Sequence, residues 1–286
     1  MPQPLYPPAG PQSIGQVLDS SFRIFEVSLV RCLLYGALSM IAGQLPNIYF
    51  IAAGKPLTPF GNGDPLWIAL YCVGAVLTLL VFTALMLRQH GIATGQALGF
   101  RVEIAESIRR LPRFLGLALL GFLVLTVGGF IIGIAYALIN RIMGMSYFAI
   151  GIVVFVVLVP IVYLLTPLTV ATPSLLLDGK GPMESIQHSL RLIKGSWWRT
   201  TTIFTVAFVI IVVFYLVGTV IIGVLLPLIG AADVAAVTAG TAVVYVVLGG
   251  IGMPFFSAVV IATYGELKVR REGVDLERRI SGVAQP

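Results

Sequence analysis

Few side chains in this chain of 286 residues could take part in catalysis. The most enzyme-like group is Asp178, Glu184 and His188, because Glu184 and His188 are four residues apart and would share one helix face. A carboxylate and an imidazole placed in this way could act as an acid–base pair on a lipid headgroup. They could equally stabilise the helix that carries them, and we favour this second interpretation.

Nothing else in the sequence points to chemistry. The other histidine, His90, lies in a different segment from His188 and has no partner at the spacing of metal ligands. No nucleophile elbow, zinc-protease motif or phosphate-binding Walker loop occurs. We therefore predict a protein that is not an enzyme, with no catalytic residue, no cofactor and no metal.

The composition predicts where the chain resides. It is 58% hydrophobic and only 10% charged, whereas soluble domains contain about 25% charged residues. Six segments contain no Asp, Glu, Lys or Arg, and each is longer than the ~20 residues that a helix needs to cross ~30 Å of hydrocarbon. The sequence therefore predicts an all-α integral membrane protein with six transmembrane helices. The charge-free segments are residues 32–54, 65–87, 114–140, 142–177, 200–232 and 234–265.

The basic residues predict the orientation of these helices. All of the 18 Lys and Arg residues except Lys55 and Arg141 fall in the two ends of the chain or in residues 88–113 and 178–199. Six spans would place all four of these regions on one side of the membrane. Because basic segments remain in the cytoplasm, we predict that both termini are cytoplasmic. The net charge of +6 is spread between apolar segments and forms no basic domain, which argues against a nucleic-acid partner.

One pattern occurs three times in the cytoplasmic regions, at offsets of 86 and 82 residues. Each copy has apolar residues at i, i+4 and i+7, with a Ser before the middle one and an Arg after it. The apolar spacing places these residues on one face of an amphipathic helix, with the Arg projecting elsewhere. The copies are Leu18, Ser21, Phe22, Arg23 and Phe25; Ile104, Ser107, Ile108, Arg109 and Leu111; and Ile186, Ser189, Leu190, Arg191 and Ile193.

The repeat predicts an architecture of three hairpins, each preceded by a cytoplasmic amphipathic helix at the membrane interface. Residues 13–265 would form a single membrane domain between a disordered Pro-rich tail, residues 1–12, and a cytoplasmic tail of mixed charge, residues 266–286. Ser13 and Gln16 form a capping box that would start the first interfacial helix. The three pseudo-repeats would cover about 13–100, 101–180 and 181–265.

The interfacial helices allow two interpretations. They either fix the topology or form a platform that binds membrane lipids, anionic headgroups in particular, or a membrane-protein partner. The platform would combine the repeated arginines with the aromatic and basic residues that precede the fifth span and the basic cluster that follows the last one. Its residues are Arg23, Arg109, Arg191, Trp197, Trp198, Arg199, Lys268, Arg270 and Arg271.

The proline residues leave a second class of function open. Pro160 and Pro167 interrupt the fourth predicted span, and Pro254 interrupts the sixth. Broken helices form binding sites in many transporters. The spans lack the ionisable residues of an ion relay, so the alternative to a membrane-organising module is a transporter or channel for a neutral or lipidic molecule.

Residues 262–276 resemble the end of the membrane domain that is attached to some bacterial glycerophosphoryl diester phosphodiesterases. In that family the last span is followed by a pattern close to Tyr-Tyr-Asp-Leu-Arg-x-Arg-x-Glu-Gly-x-Asp-Leu. The resemblance extends to residues 14–19 and 181–198, and it implies a bacterial inner-membrane protein. It does not imply phosphodiesterase activity, because catalysis in that family belongs to a separate soluble barrel domain, which we do not expect here. Tyr264, Leu267, Arg270, Glu272, Gly273, Asp275 and Leu276 match the pattern, whereas Gly265, Glu266 and Lys268 depart from it.

Overall fold

The computed structural model describes residues 5–55, 63–96, 98–143, 163–228 and 234–283. Within these ranges the chain forms seven helices and no strand. The prediction of an all-α protein is therefore confirmed for the described residues. The helices are α1 (Ile14–Ala52), α2 (Pro65–Ala93), α3 (Phe100–Met143), α4 (Tyr163–Leu176), α5 (Pro182–Ile193), α6 (Trp197–Leu228) and α7 (Val234–Val283).

Five of the described helices are long and apolar enough to cross a membrane. They are α1, α2 and the greater part of α3, α6 and α7, whereas α4 is shorter. Most of the fourth predicted span, residues 142–177, lies outside the described ranges. The described helices thus agree with a multi-pass membrane protein, and the number of six spans and their hairpin arrangement stay predictions.

The distribution of side chains differs from that in a water-soluble protein. Large apolar residues such as Phe122, Phe130 and Phe208 are exposed on the spanning helices, while Ser28 and Thr83 are fully buried. Water-soluble proteins bury their large apolar residues, whereas helices in lipid associate through small and hydroxyl-bearing side chains. The surface of these helices is therefore suited to contact with hydrocarbon.

The predicted interfacial helices are not all separate elements. The capping box of Ser13 and Gln16 is confirmed at the start of α1, but this helix then continues without a break into the first span. The second interfacial segment is likewise the beginning of α3, inside which Pro112 lies. The prediction of a separate helix is thus wrong for the first two copies and correct for α5. Gly195 adopts a φ of +81° just after α5, a conformation that favours glycine and ends helices, and the first two copies lack such a terminator.

The chain divides into two compact units, residues 1–111 with 203–286 and residues 112–202. In the first unit, α1 packs against both α2 and α7. The backbones of α1 and α7 approach closely at Gly36, where an added Cβ atom would lie 2.6 Å from the carbonyl oxygen of Gly250. Pro254 has no N–H to donate to this carbonyl. Only a residue without a side chain fits at position 36 of α1.

In the second unit, polar side chains connect α5 to α4. Ser189 Oγ donates a hydrogen bond to the carbonyl of Pro167 at 2.7 Å, and Ser174 Oγ lies 3.1 Å from Nδ1 of His188. At the start of α6, Trp197 stacks on Tyr163 with 4.1 Å between the ring centroids. The two serine contacts hold the short helix α5 against α4, and the ring stack joins the start of α6 to α4.

Residues 5–12 differ from the predicted disordered tail. Tyr6 is buried, and the backbone N–H groups of Leu5 and Tyr6 both donate to the carbonyl of Ala93 at the end of α2. Composition predicted disorder because this stretch is rich in proline, but one aromatic side chain is enough to anchor it. At the other end of the chain, α7 continues through residues 266–283 of the predicted cytoplasmic tail.

Candidate functional site

The serine of each repeated copy points into the protein. Ser21, Ser107 and Ser189 are all fully buried. Each hydroxyl donates to a backbone carbonyl of its own helix, at 2.7, 2.7 and 3.1 Å respectively. The three copies therefore share one orientation as well as one sequence pattern.

The apolar residues of the copies differ in burial. The middle member is exposed in every copy, by 44% for Phe22, 55% for Ile108 and 46% for Leu190, whereas Ile193 of the third copy is completely buried. In α1 the buried line runs through Val17 and Ile24, one residue earlier than the apolar triad. Apolar spacing does not select the face toward the protein, because an apolar side chain is as stable against lipid as against protein.

The three repeated arginines are exposed, and each follows an exposed apolar residue. Arg23 is next to Phe22, and Arg191 is next to Leu190. The side chain of Arg109 is 79% exposed and has only a long contact, 3.6 Å, with Glu106. In each copy an apolar side chain and a guanidinium thus stand together on the surface, an arrangement suited to the boundary between acyl chains and phosphate groups.

The remaining platform residues lie at the start of α6 and near the end of α7. Trp198 is exposed, while Trp197 and Arg199 are half-buried. Near the end of α7, the ammonium group of Lys268 lies 5.6 Å from the centre of the ring of Tyr264. These positions agree with a role at the membrane surface.

Arg270 and Arg271, the two platform arginines of α7, are less available for binding a ligand than the sequence predicts. Arg270 Nε donates to Glu266 at 2.7 Å, and the side chain of Glu266 is almost completely buried. Arg270 and Arg271 are both half-buried. The cluster therefore differs from the freely exposed arginines of the repeat.

The structure separates the environments of the enzyme-like residues. His188 is buried and faces Ser174, whereas Glu184 is exposed at the start of α5. Asp178 lies 3.9 Å from Lys180. Within the described ranges, no group of three or more His, Cys, Asp or Glu residues could hold a metal ion. The buried imidazole thus contributes to the packing of α5 on α4.

Sequence reasoning missed a buried ionic group at the start of α3. Glu103 is fully buried, and its Oε2 atom accepts hydrogen bonds from Arg88 Nη1 at 2.9 Å and from the hydroxyl of Tyr35 at 2.7 Å. Glu103 occupies the position of Val17 in the first copy and of Ser185 in the third. Both of those residues are buried.

A neighbouring amide completes the polar contacts among the helices of the first unit. Gln89 is fully buried, and its Nε2 donates to Ser28 Oγ and to the carbonyl of Pro254, both at 2.9 Å. Its side chain thus joins α1, α2 and α7. Arg88 and Gln89 are adjacent in α2, so one turn of this helix contacts α1, α3 and α7 through polar side chains.

Comparison of the chain with protein-family models, curated proteins and solved structures finds no match. The resemblance to the phosphodiesterase membrane domains consequently stays a prediction from residues 14–19, 181–198 and 262–276.

A second charged group lies where α1 ends and α2 begins. Asp64 caps α2 by accepting from the backbone N–H groups of Leu66 and Trp67 at 2.9 and 3.3 Å, and its other oxygen pairs with Lys55 Nζ. The hydrogen bond from Lys55, followed by those from the backbone, lowers the pKa of Asp64. The same bond, with one to Tyr49, raises the pKa of Lys55.

We expect acid to loosen this end of α2. Because the pKa of Asp64 is lower in the folded state, its stabilisation is complete above the unfolded value of about 3.9 and is lost as the pH falls through the folded value. In a Trp197→Phe/Trp198→Phe background, the fluorescence of Trp67 should report this transition. Asp64→Asn should retain the cap and remove the transition, and an unchanged titration in Asp64→Asn would contradict the assignment.

Proposed function

We propose that this chain is a non-enzymatic, multi-pass protein of the bacterial inner membrane whose cytoplasmic surface binds anionic lipid headgroups. In this way it would organise lipid or hold a membrane-protein partner. The observation that carries the proposal is the exposed pair of an apolar residue and an arginine in each of the three copies, Phe22–Arg23, Ile108–Arg109 and Leu190–Arg191. The resemblance of the last helix to the bacterial membrane domains supports the location.

The proposed surface rests on the physics of the membrane boundary. The apolar member of each pair would enter the acyl region while the guanidinium remains among the phosphates. A basic residue near an anionic leaflet contributes about 1 kcal/mol. Arg109 has its guanidinium exposed and only loosely paired, so it loses little by binding a headgroup.

The environment of Pro254 gives no support to the transporter alternative. Its carbonyl is occupied by Gln89, and Gly250, one turn earlier, packs against Gly36. Phe255 contacts the rings of two residues of α1. Neighbouring helices therefore pack against α7 around Pro254. Pro160 lies outside the described residues.

Lipid selectivity should test the proposal. The protein is reconstituted into phosphatidylcholine bilayers, and the immobilised fractions of spin-labelled phosphatidylglycerol and phosphatidylcholine are compared by electron paramagnetic resonance. Arg109→Gln should lower the preference for the anionic lipid about fivefold, the equivalent of ~1 kcal/mol. The triple replacement of Arg23, Arg109 and Arg191 by Gln should lower it further, and added salt should reduce the preference of the wild type.

Arg110→Gln is the matched control, because it removes the same charge from the adjacent residue. Arg110 is half-buried and pairs with Glu106 at 2.7 Å, so its loss should change the lipid preference little. Equal effects of Arg109→Gln and Arg110→Gln would indicate a general effect of net charge. An unchanged preference in the triple variant would refute the proposal.

A further inference from the structure

The N-terminal segment closes the cytoplasmic end of α2. The N–H groups of Leu5 and Tyr6 donate to the carbonyl of Ala93 at 2.9 and 3.2 Å. Ala93 is the last residue of α2, and carbonyls at the end of a helix have no partner within it. The segment therefore satisfies a helix end that would otherwise need water or another donor.

A glycine in α7 makes room for the aromatic ring of this segment. A Cβ atom added to Gly265 would lie 2.5 Å from Cε2 of Tyr6, closer than real Cβ contacts allow. The ring of Tyr6 also packs edge-to-face on His90, with 4.8 Å between centroids. Tyr6 thus occupies a notch between α2 and α7 that any larger residue at position 265 would fill.

The segment also reaches one of the platform arginines. The carbonyl of Gln12 accepts a hydrogen bond from Arg270 Nη2 at 3.0 Å, and Gln12 Nε2 donates to Ser20 Oγ at 2.9 Å. Arg270 Nε is occupied by Glu266. The guanidinium of Arg270 is thus held by contacts inside the protein, unlike the exposed guanidinium of Arg109.

We propose that residues 5–12 form an N-terminal clip that competes with anionic headgroups for Arg270. With the clip in place, Arg270 is held against the protein. When the clip leaves the notch, Nη2 of Arg270 becomes available to a lipid phosphate. This inference rests on the proposed function and adds to it a contact that limits lipid binding.

Charge favours this competition. The clip offers Arg270 a neutral carbonyl oxygen, whereas a lipid phosphate offers a charged one, so only the phosphate forms an ion pair with the guanidinium. Headgroups without net charge provide less attraction for the guanidinium. An anionic surface should therefore favour release of the clip, and a zwitterionic surface should favour the docked state.

The experiment follows the clip and the lipid separately in the full chain. Deuterium exchange of residues 5–12 is measured in nanodiscs of phosphatidylcholine with and without phosphatidylglycerol, and lipid preference is measured by spin label as above. In the wild type, phosphatidylglycerol should accelerate exchange of the clip. Tyr6→Ala and Gly265→Ala alter the same contact from its two sides. Both variants should raise the exchange rate of residues 5–12 about tenfold, the equivalent of one to two lost hydrogen bonds. Both should also raise the preference for phosphatidylglycerol.

Two further variants make the test specific. Gly273→Ala is the matched control on α7, because a Cβ atom there has nothing within 4 Å, and it should leave both measurements unchanged. Adding Arg270→Gln to Gly265→Ala should abolish the gain in lipid preference while the clip stays mobile.

The failure of this inference differs from failure of the proposed function. If the triple arginine variant loses lipid preference but Gly265→Ala and Tyr6→Ala gain none despite faster exchange, the competition is wrong and the lipid-binding surface remains. If the triple variant loses nothing, the proposed function is wrong. Exchange of the clip that is unchanged in both Tyr6→Ala and Gly265→Ala would overturn the docking contact itself.

Discussion

Arg88→Gln is expected to lower the free energy of unfolding by about 3–5 kcal/mol, the usual cost of removing one partner from a buried ion pair. The variant leaves the carboxylate of Glu103, which is completely buried, with only the hydroxyl of Tyr35 as a donor among its observed partners. An isolated buried charge is much more costly than a missing hydrogen bond. Unfolding in mixed micelles, followed by circular dichroism, would measure the loss.

The reciprocal variant distinguishes the contribution of the ion pair to stability from the contributions of Arg88 and Glu103 alone. Glu103→Gln leaves Arg88, whose side chain is 24% exposed and can bind water or a headgroup, so its cost should be smaller. The double variant Arg88→Gln/Glu103→Gln should recover part of the stability lost in Arg88→Gln. A double variant no more stable than Arg88→Gln, or a greater loss in Glu103→Gln, would contradict the assignment of the cost to the stranded carboxylate.

Gly36→Ala is expected to destabilise the packing of α1 on α7 by about 1–3 kcal/mol, the typical cost of overpacking a well-filled interior. The added methyl group would meet the backbone oxygen of Gly250 at 2.6 Å. A backbone atom cannot rotate away, so the two helices must separate. Gly36→Val should cost more, and thermal unfolding in detergent would measure both effects.

Gly43→Ala provides the control on the same helix. Its nearest neighbour would be Thr78 Oγ1 at 3.9 Å, an ordinary contact. Alanine also has a higher helix propensity than glycine, so this variant should be neutral or slightly stabilising. Similar losses in Gly36→Ala and Gly43→Ala would show that the close approach of the backbones is not the cause.

The sequence was most informative where one residue type decides the local structure. Ser13 predicted the first turn of α1 because its hydroxyl can accept from the N–H of Gln16. The absence of charge over more than 20 consecutive residues likewise predicted helices that are able to span a membrane.

The side of a helix that faces the protein could not be derived from apolar spacing. In water, burial selects the apolar residues, but in lipid both sides of a helix are apolar surroundings. Phe22 is therefore 44% exposed, although its ring also contacts Phe255 of α7, and Ser21 beside it is completely buried. Glu103 was missed for a related reason: its partners Arg88 and Tyr35 come from different helices, and no local pattern links them.

The sequence predicted only part of the candidate platform. Arg23, Arg109 and Arg191, which the repeat singled out, are all exposed. Arg270, by contrast, is engaged by Glu266 and by the carbonyl of Gln12. The contact between Arg270 and Gln12 joins residues that are 258 positions apart in the sequence. Its acceptor is a backbone carbonyl, which every residue has, so no residue type could have indicated this contact.

Pro254 lies inside the long helix α7, and proline is a position at which helices bend readily. A helix rises 1.5 Å per residue, so Val283 is about 44 Å along the axis from this proline and Arg270 about 24 Å. A rotation of roughly 10° at a proline would then move the far end by about 8 Å and Arg270 by about 4 Å. Movements of that size exceed the length of a hydrogen bond, so a bend at Pro254 would break the contact between Arg270 and the carbonyl of Gln12.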